Sequence, residues 1–324
     1  MISSSHMRIL VVGAGAIGGY FGGRLLEAAR DVTFLVRPHR ASQLAQDGLV
    51  IKSQKGAITL RSPPTVLTER IDEPFDLILL SCKAYDLTGA MDSFAAAVGT
   101  DTVILPLLNG LRHVDLLSER FGRSHVLGGH CMIAVTRDKY GIIVHLNDDH
   151  SLSFGELDGE STDRVKAVQG ELADAGFDAS PSGQILQGMW DKWVFLASLA
   201  GITCLMRAPI GDIVASPGGH QAIVALLQEC RSIAEGAGFA PDPAVIERAL
   251  AALSAPGSSL TASMLRDLEG NAPVEADHVV GDLLRRRRAE PAANLTPTML
   301  SVAYAHLKAY ETRRAKQLEQ ASPE

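Results

Sequence analysis

A glycine-rich turn between two short apolar runs is the feature that most constrains how this chain folds. An apolar run over residues 8–12 leads directly into the turn, helix-type spacing follows from 17 to about 29, and a second apolar run covers 32–36. The turn itself consists of Gly13, Ala14, Gly15, Ala16, Ile17 and Gly18. A strand, a glycine turn, a helix and a second strand within about thirty residues are typical of a dinucleotide-binding unit.

Each glycine has a separate physical role in such a turn. Gly13 permits the tight turn, Gly15 lets the backbone approach a pyrophosphate, and Gly18 lets the helix pack closely on the sheet. The pyrophosphate would lie at the helix N-terminus, where free amide groups and the helix dipole favour an anion. The alternative is an ordinary flexible loop, which the flanking strands and helix disfavour.

The residue after the second predicted strand indicates which dinucleotide binds. An NAD site usually has Asp or Glu there to accept hydrogen bonds from the ribose 2′-hydroxyl. This chain has Arg37, and no carboxylate follows until Asp47. A guanidinium can bind a 2′-phosphate through two hydrogen bonds, whereas a carboxylate would repel it. We therefore predict NADP(H) as the cofactor; the alternative is that Arg37 and Arg40 are solvated loop arginines.

Composition excludes several other classes of protein. At 324 residues, of which 46% are hydrophobic, the chain can bury a full core and is predicted to form two domains. Its net charge of -7 disfavours nucleic acid and membranes as partners. The four cysteines form no CxxC pair, which favours reduced thiols in a cytoplasm and no metal site. The longest uncharged apolar stretch, 193–206, is shorter than the roughly 18 residues of a spanning helix. Residues 1–6 are interpreted as a cloning remnant. No signal peptide is predicted from the sequence.

The chain changes character after about residue 181. Before it, short apolar runs alternate with helical stretches; after it, helix-type spacing dominates. We therefore predict an α/β protein with an N-terminal Rossmann-like NADP-binding domain (7–181) and an all-helical C-terminal domain (182–324), the substrate lying between them. The helical domain would carry catalysis and a homodimer contact, and the basic run at 285–288 would be a solvated helix end. The predicted helices are 184–206, 218–237, 243–253, 259–268, 273–288 and 296–317.

Polar residues at strand ends and in helices are the candidate site residues. Lys83 and Asn109 each end a predicted strand, where ligands bind in parallel sheets; the alternatives are a surface lysine and a tight-turn asparagine. Lys192 lies in a helix that is apolar on nearly every face, and burial can lower a lysine pKa toward the neutral range that suits a general acid. It could instead extend to solvent or pair with an acid such as Asp191. Glu275 is either a site residue or a first-turn acid that favours the helix dipole.

Taken in order along the chain, these residues resemble a known family. The matching motifs are Gly13-x-Gly15-x-x-Gly18, Arg37, Cys82-Lys83-Ala84, Leu108-Asn109-Gly110, Trp190-Asp191-Lys192, Ser263-Met264 and Glu275-Ala276-Asp277. The set resembles ketopantoate reductase (2-dehydropantoate 2-reductase) over nearly the whole chain. The resemblance implies the reduction of a 2-keto acid with NADPH, in the synthesis of pantothenate, on a Rossmann-plus-helical fold.

The resemblance also implies a role for each matching residue. Lys192 would donate a proton to the keto oxygen, and Glu275 would support both Lys192 and the cofactor ribose. Asn109 would lie beside the nicotinamide and the substrate, and Ser263 would contact the substrate carboxylate. Lys83 and Arg37 would serve the adenosine phosphate end. The expected cofactor contacts are therefore the glycine turn with Arg37, Lys83, Asn109, Val135 and Glu275.

Four positions depart from the family pattern. Where the family has asparagines, this chain has Leu196, Ala200, Ile210 and Leu260. Hydrogen-bonding sites discriminate between ligands with and without a hydroxyl by orders of magnitude, so these residues suggest a pocket less suited to the hydroxyl of ketopantoate. Another small keto or hydroxy acid therefore stays open as the substrate. A non-catalytic NADP(H)-binding sensor is a third alternative, disfavoured because it needs neither Lys192 nor Glu275.

Overall fold

The structure, a computed structural model, describes residues 7–287 and 297–321 and divides the chain into two compact units. The first comprises residues up to Leu108 together with His113–Leu186; the second comprises Asn109–Arg112 and the chain from Gln187 onward. The interpretation of residues 1–6, and the predicted helix ends at 288 and 296, lie outside the described residues. A domain boundary between residues 181 and 182 stays a prediction.

The first unit contains the predicted parallel sheet. Its strands are β1 Ile9–Val12, β2 Val32–Leu35, β3 Leu49–Lys52, β4 Ile58–Leu60, β5 Thr65–Val66, β6 Phe75–Leu80, β7 Val98–Pro106, β8 Gly128–Arg137, β9 Ile143–Gly155 and β10 Asp178–Pro181. Five of them form a parallel sheet in the order β5-β2-β1-β6-β7. The helices of this part of the chain are α1 Ala16–Glu27, α2 Pro38–Asp47, α3 Leu87–Phe94, α4 Arg112–Phe121 and α5 Asp163–Leu172. This order of elements confirms the predicted Rossmann-like α/β fold.

A second, mixed sheet in the same unit is a feature that the sequence does not predict. Its strands have the order β10-β9-β3-β4, and β8 pairs with β9 in an antiparallel hairpin. β9 is 13 residues long and includes the polar stretch 147–150, so it does not read as one apolar run. Its pairing is set by neighbouring strands rather than by its own pattern.

Glycines on α1 let this helix lie against both sheets. A Cβ at Gly22 would lie 2.6 Å from Cε1 of Phe34 in β2, and a Cβ at Gly19 would lie 2.3 Å from Cδ1 of Ile143 in β9. Protein interiors are close-packed, so either methyl group would force the contacted side chain or the helix to shift. The close fit fixes the N-terminus of α1, and with it the glycine turn.

The second unit is helical, as predicted. Its helices are α6 Ile185–Met206 (which starts in the first unit), α7 Ile210–Ala215, α8 Gly219–Gly236, α9 Pro243–Leu253, α10 Ser263–Glu269, α11 Asp282–Arg286 and α12 Met299–Ala321. The sequence does not predict α7, and it starts α10 too early, at residue 259. It also predicts one helix over 273–288, whereas the structure has a π-helical turn, Asp277–Gly281, followed by α11.

The length of α6 corrects one expectation. This helix has 22 residues and is long and apolar enough to cross a membrane by length and composition alone. The uncharged stretch 193–206 stands as predicted, but it underestimates the apolar length of the helix because the helix begins before the charged pair Asp191 and Lys192. Within the protein, 67% of its most apolar window is buried, which is typical of the core helix of a soluble protein.

Candidate active site

The glycine turn has the backbone geometry that a dinucleotide site needs. Gly13 has a φ of +94°, a left-handed conformation that side chains disfavour. A Cβ at Gly18 would lie 2.1 Å from Oγ of Ser81, so the helix packs tightly on the strand end. A Cβ at Gly15 would meet no protein atom within 4 Å, so internal packing does not require glycine there. With α1 beginning at Ala16, the turn fits a pyrophosphate at a helix N-terminus.

Ser81 and Arg40 hold the glycine turn from the protein side. Oγ of Ser81 donates to the carbonyl oxygen of Val12 at 2.9 Å. Arg40 is 8% exposed, and its Nε donates to the carbonyl oxygen of Ala14 at 3.1 Å, so the alternative of a solvated loop arginine is wrong for this residue. Burial, and then the charge of Arg137, lowers the pKa of Arg40 to about 10. Arg40 therefore stays charged at neutral pH.

Arg37 lies at the end of β2, directly before α2. Its Nη2 donates to Oδ1 of Asp86 at 3.1 Å. Asp86 ends a short 3-10 turn, Ala84–Asp86, and its backbone N–H donates to the carbonyl oxygen of Lys83 at 2.9 Å. The structure thus brings Arg37 together with the turn that begins at Lys83. It also brings a carboxylate to Arg37 that the sequence around Arg37 does not reveal.

Two other predicted cofactor contacts have a packing role. Ile17 and Val135 are half-buried and pack against the core of the first unit. Val135 lies on β8, where it pairs with His145 of β9. Packing alone explains an apolar residue at each position, so their contact with a cofactor stays a prediction.

Lys192 lies about two turns into α6, not at the beginning of the helix. Its side chain is half-buried, whereas the apolar sequence around it favours full burial. Its neighbour Asp191 accepts a hydrogen bond from Nε2 of Gln187 at 2.8 Å, and burial raises the pKa of the Asp191 carboxyl. The neighbour on the other side, Trp193, is fully buried. Nε1 of Trp193 donates to the carbonyl oxygen of Val279 at 2.8 Å, which fixes this turn of α6 to the π-helical turn.

The segment Asn109–Arg112 follows β7 in sequence and belongs to the second unit. Gly110 has a φ of +78°. A Cβ at this position would lie 3.0 Å from the carbonyl oxygen of His278 and 3.7 Å from Cε2 of Trp193. Glycine is therefore required both by the left-handed backbone and by the close contact. Gly110, the residue after Asn109, therefore lies close to the indole that follows the predicted catalytic lysine.

Glu275 directly precedes the helical segment that contains the π-helical turn, and it is 8% exposed. Its carbonyl oxygen accepts hydrogen bonds from the backbone N–H groups of His278 and Val279 at 3.2 and 3.0 Å. Burial lowers the pKa of His278, against the opposing charges of Glu275 and Asp282. Single π-helical turns are frequent at functional sites. The structure thus places Glu275 one turn before the residue that Trp193 contacts.

The basic run ends a helix, as predicted, because Arg285 and Arg286 form the last turn of α11, but Arg286 is not simply solvated. Nε of Arg286 donates to Oδ2 of Asp282 at 3.0 Å, and Asp282 is 6% exposed. The guanidinium of Arg286 also lies 5.6 Å from the ring centroid of Trp193, within the range of a cation–π contact. The prediction of a solvated side chain is therefore wrong for Arg286, which contributes to the packing around Trp193.

Ser263 is exposed at the first residue of α10. The backbone N–H of the preceding residue, Ala262, donates to Oγ1 of Thr203 at 3.4 Å. Thr203 follows Lys192 on α6 by 11 residues, which corresponds to about 16 Å along the helix axis. Ser263 is thus anchored beyond Lys192 along α6, and its contact with a substrate stays a prediction.

The four apolar positions form two pairs. Leu196 and Ala200 are one turn apart on α6 and share a face of that helix. The backbone N–H of Ile210 donates to the carbonyl oxygen of Leu260 at 3.0 Å. Ile210 is fully buried and Ala200 is 4% exposed, whereas Leu196 and Leu260 are half-buried.

Sequence reasoning missed several residues that shape these sites. They are Arg40, Ser81, Asp86, Trp193 and His278. Ser81 carries a signal, because it is the first polar residue after an apolar run, and Trp193 carries another, because it directly follows the motif that ends in Lys192. The remaining three are recognised only through contacts with residues far away in the sequence.

Two family models match the chain. "Ketopantoate reductase PanE/ApbA" matches residues 9–159, and "Ketopantoate reductase PanE/ApbA C terminal" matches residues 184–311. Over 308 residues the chain is 36% identical to "Uncharacterized oxidoreductase YkpB" of Bacillus subtilis (strain 168), an alignment that covers 95% of this chain and 100% of that protein.

Solved structures share the fold. The crystal structure of 2-dehydropantoate 2-reductase from Geobacter metallireducens GS-15 matches with a TM-score of 0.84 and 25% identity, covering 94% of this chain and 99% of that chain. The structure of D-mandelate dehydrogenase with NADH and anilino(oxo)acetate matches with a TM-score of 0.83 over 95% of this chain and 100% of that chain; at 20% identity it shows the fold alone. The chain belongs to the ketopantoate reductase family and is an oxidoreductase that acts on CH–OH groups with NAD(P)H.

Proposed function

We propose that this protein reduces a 2-keto acid to a 2-hydroxy acid with NADPH, and that 2-dehydropantoate is the leading candidate substrate. The observation that carries the proposal is the meeting of three distant segments in the second unit. Trp193, next to Lys192, donates to the carbonyl oxygen of Val279 at 2.8 Å, four residues after Glu275. The turn at Gly110 packs on the same indole. This arrangement supports a single site built from the three segments.

The choice of NADPH rather than NADH rests on Arg37 and Lys83. They follow β2 and β6, the two strands that flank β1 and its glycine turn in the sheet. Charge-assisted hydrogen bonds from a guanidinium to a 2′-phosphate contribute roughly 1.5–3 kcal/mol, or about tenfold or more in affinity. Two cations beside one glycine turn support a site for the adenosine phosphate.

The residues of the second unit have complementary roles in the proposed reaction. When bound, the reduced nicotinamide supplies the hydride that the keto carbon accepts. Nζ of Lys192 donates a proton to the keto oxygen as negative charge develops on it, so its main contribution is to the transition state. Glu275 keeps Lys192 in position, Asn109 orients the ketone, and Ser263 holds the substrate carboxylate.

A keto acid with an apolar side chain is the second candidate substrate. The positions Leu196, Ala200, Ile210 and Leu260 offer no side-chain hydrogen bond to a substrate hydroxyl, and Ile210 is fully buried. A fold relative is by name a D-mandelate dehydrogenase, an enzyme of an aromatic 2-hydroxy acid. We further propose a cytoplasmic homodimer without nucleic-acid or membrane partners, in keeping with the net charge of -7.

The test is NADPH oxidation by the purified protein with a panel of 2-keto acids that includes 2-dehydropantoate and the aromatic keto acid phenylglyoxylate. We expect turnover with at least one of them, and Lys192→Ala should lower that turnover about 10²–10⁴-fold while NADPH still binds. Lys192→Arg keeps the charge but donates a proton poorly, so it should remain impaired. Lys166→Ala is the control, because Lys166 is an exposed lysine that pairs with Asp163 at 2.9 Å.

The outcomes separate the alternatives. Efficient turnover of 2-dehydropantoate supports the leading substrate and shows that other groups hold its hydroxyl. Turnover of phenylglyoxylate alone supports the second candidate. Near-wild-type turnover in Lys192→Ala would assign this lysine a structural role. NADPH binding without any turnover would favour the sensor.

A further inference from the structure

An exposed ion pair at the proposed adenosine site joins Arg37, which follows β2, to Asp86, which lies in the short turn after Lys83. Nη2 of Arg37 lies 3.1 Å from Oδ1 of Asp86, and the two side chains are 81% and 42% exposed. Exposed ion pairs are weak because water and salt screen them. The guanidinium can therefore exchange the carboxylate for another anion at little cost.

The position of this pair relates it to the glycine turn. Arg37 follows β2, Asp86 lies in the turn after β6, and β1 lies between these two strands in the sheet. Strands two places apart are separated by about 10 Å. The pair therefore reaches across the end of β1, where Gly13 opens the turn. Although the two residues are 49 positions apart in sequence, the carboxylate lies beside the cation that we assign to the 2′-phosphate.

Asp86 opposes a 2′-phosphate for two linked reasons. A guanidinium that already donates to a carboxylate has fewer N–H groups for a phosphate. A phosphate monoester also carries more than one negative charge at neutral pH, which a neighbouring carboxylate repels. NADH has a hydroxyl in place of this phosphate, and a hydroxyl can donate to a carboxylate. The effect of Asp86 thus differs between the two nucleotides.

We propose that Asp86 sets the nucleotide preference of this protein by competing with the 2′-phosphate for Arg37. The proposal rests on the proposed function, which assigns Arg37 to the adenosine phosphate. In consequence the protein distinguishes NADPH from NADH less sharply than Arg37 alone would allow. Asp86 is a specificity-determining residue that acts through Arg37.

The experiment titrates the full chain with NADPH and with NADH, by nucleotide fluorescence, at one fixed ionic strength and without substrate. The variants are Asp86→Asn, Arg37→Ala and the double variant. Asp92→Asn is the matched control, because it removes another exposed carboxylate that pairs with an arginine, Arg120, at 2.6 Å.

Asp86→Asn should tighten NADPH binding about three- to tenfold and change NADH binding less than about twofold, because one competitor for the guanidinium is removed. In the Arg37→Ala background the same substitution should improve NADPH binding by clearly less than in the wild type, since no guanidinium remains to be released and only the direct repulsion between carboxylate and phosphate is relieved. Asp92→Asn should leave both affinities unchanged. The ratio of the two affinities is the decisive measurement, because a merely structural role of Asp86 would move both together.

Unchanged or weaker NADPH binding in Asp86→Asn would overturn the proposal, as would an equal gain for NADH or the full gain without Arg37. The proposed reaction is tested separately by turnover. A protein that shows the expected affinities and reduces no keto acid contradicts that reaction and supports the role of Asp86. A protein that binds neither nucleotide contradicts both.

Discussion

Replacing Trp193 with phenylalanine tests the link between α6 and the segment that follows Glu275. The indole is fully buried and donates to the carbonyl oxygen of Val279 at 2.8 Å. Phenylalanine keeps an aromatic ring but removes the donor, and a buried carbonyl deprived of its partner costs about 1–3 kcal/mol. The smaller ring adds a cavity cost of about 1 kcal/mol. We therefore expect the free energy of unfolding to fall by about 2–4 kcal/mol.

The same substitution should lower the turnover number. Lys192 precedes Trp193 directly, and Glu275 lies one helical turn before Val279, so the indole hydrogen bond fixes the distance between the two proposed site residues. Misplacement of a reacting group by about 1 Å can cost about 10²-fold in rate. We expect kcat with NADPH and the best keto acid to fall about tenfold to a hundredfold.

Urea unfolding followed by circular dichroism measures the first effect, and steady-state NADPH oxidation measures the second. Trp190→Phe is the matched control: it removes an indole that is 2% exposed, one turn earlier on α6, and keeps the bond to Val279. This control should lose about 1 kcal/mol of stability and less than about threefold in turnover. Equal losses in the two variants would refute the reasoning, because ring volume would then account for the whole effect.

Three further predictions concern the first unit. Gly18→Ala should lower the free energy of unfolding by about 3 kcal/mol, because its methyl group would lie 2.2 Å from the backbone carbonyl oxygen of Gly13, which cannot rotate away. Gly15→Ala should leave thermal unfolding unchanged and weaken NADPH binding at least about tenfold; equal destabilisation by both substitutions would contradict this. Arg164→Ala should lower the free energy of unfolding by about 2 kcal/mol at pH 7, because its hydrogen bonds hold the pKa of buried Glu156 below the ordinary value of 4.5. A lowered carboxyl pKa stabilises the folded state at pH values above the ordinary pKa, and this stabilisation is lost as the pH falls through the lowered pKa. The difference in urea unfolding between Arg164→Ala and wild type should therefore shrink below about pH 4. A difference that stays constant with pH would contradict this prediction.

The cofactor half of the fold could be predicted because its determinants are local. The strand β1, the glycine turn and α1 are consecutive, and Gly13 and Gly18 have the conformation and the close contact expected of them. The carboxylate of Asp86 could not be predicted, because it reaches Arg37 from 49 residues away through the order of the sheet. The buried role of Arg40 is hidden for the same reason.

The second unit was predictable in class and not in detail. Helix-type spacing predicts the ends of α6 and α8 to within about one residue, because both helices have long apolar faces. The π-helical turn Asp277–Gly281 has no such signal in the sequence. The contact that holds it is a hydrogen bond from the indole of Trp193 to one of its carbonyl oxygens, and the two residues are 86 positions apart. Gly110 likewise has its neighbours on segments that only the folded chain brings close.

The four apolar positions are not equivalent, and their burial indicates which of them can shape substrate choice. Ile210 is fully buried and its backbone N–H bonds to Leu260, so a side-chain change there alters the core first. Leu196 is half-buried and lies one turn beyond Lys192 on the same face of α6. An asparagine at that position would present an amide to a substrate hydroxyl at a small burial cost, whereas leucine leaves the hydroxyl without a partner. We therefore expect any discrimination against the hydroxyl of 2-dehydropantoate to depend first on Leu196 and then on Ala200, and a change at Ile210 to act through packing.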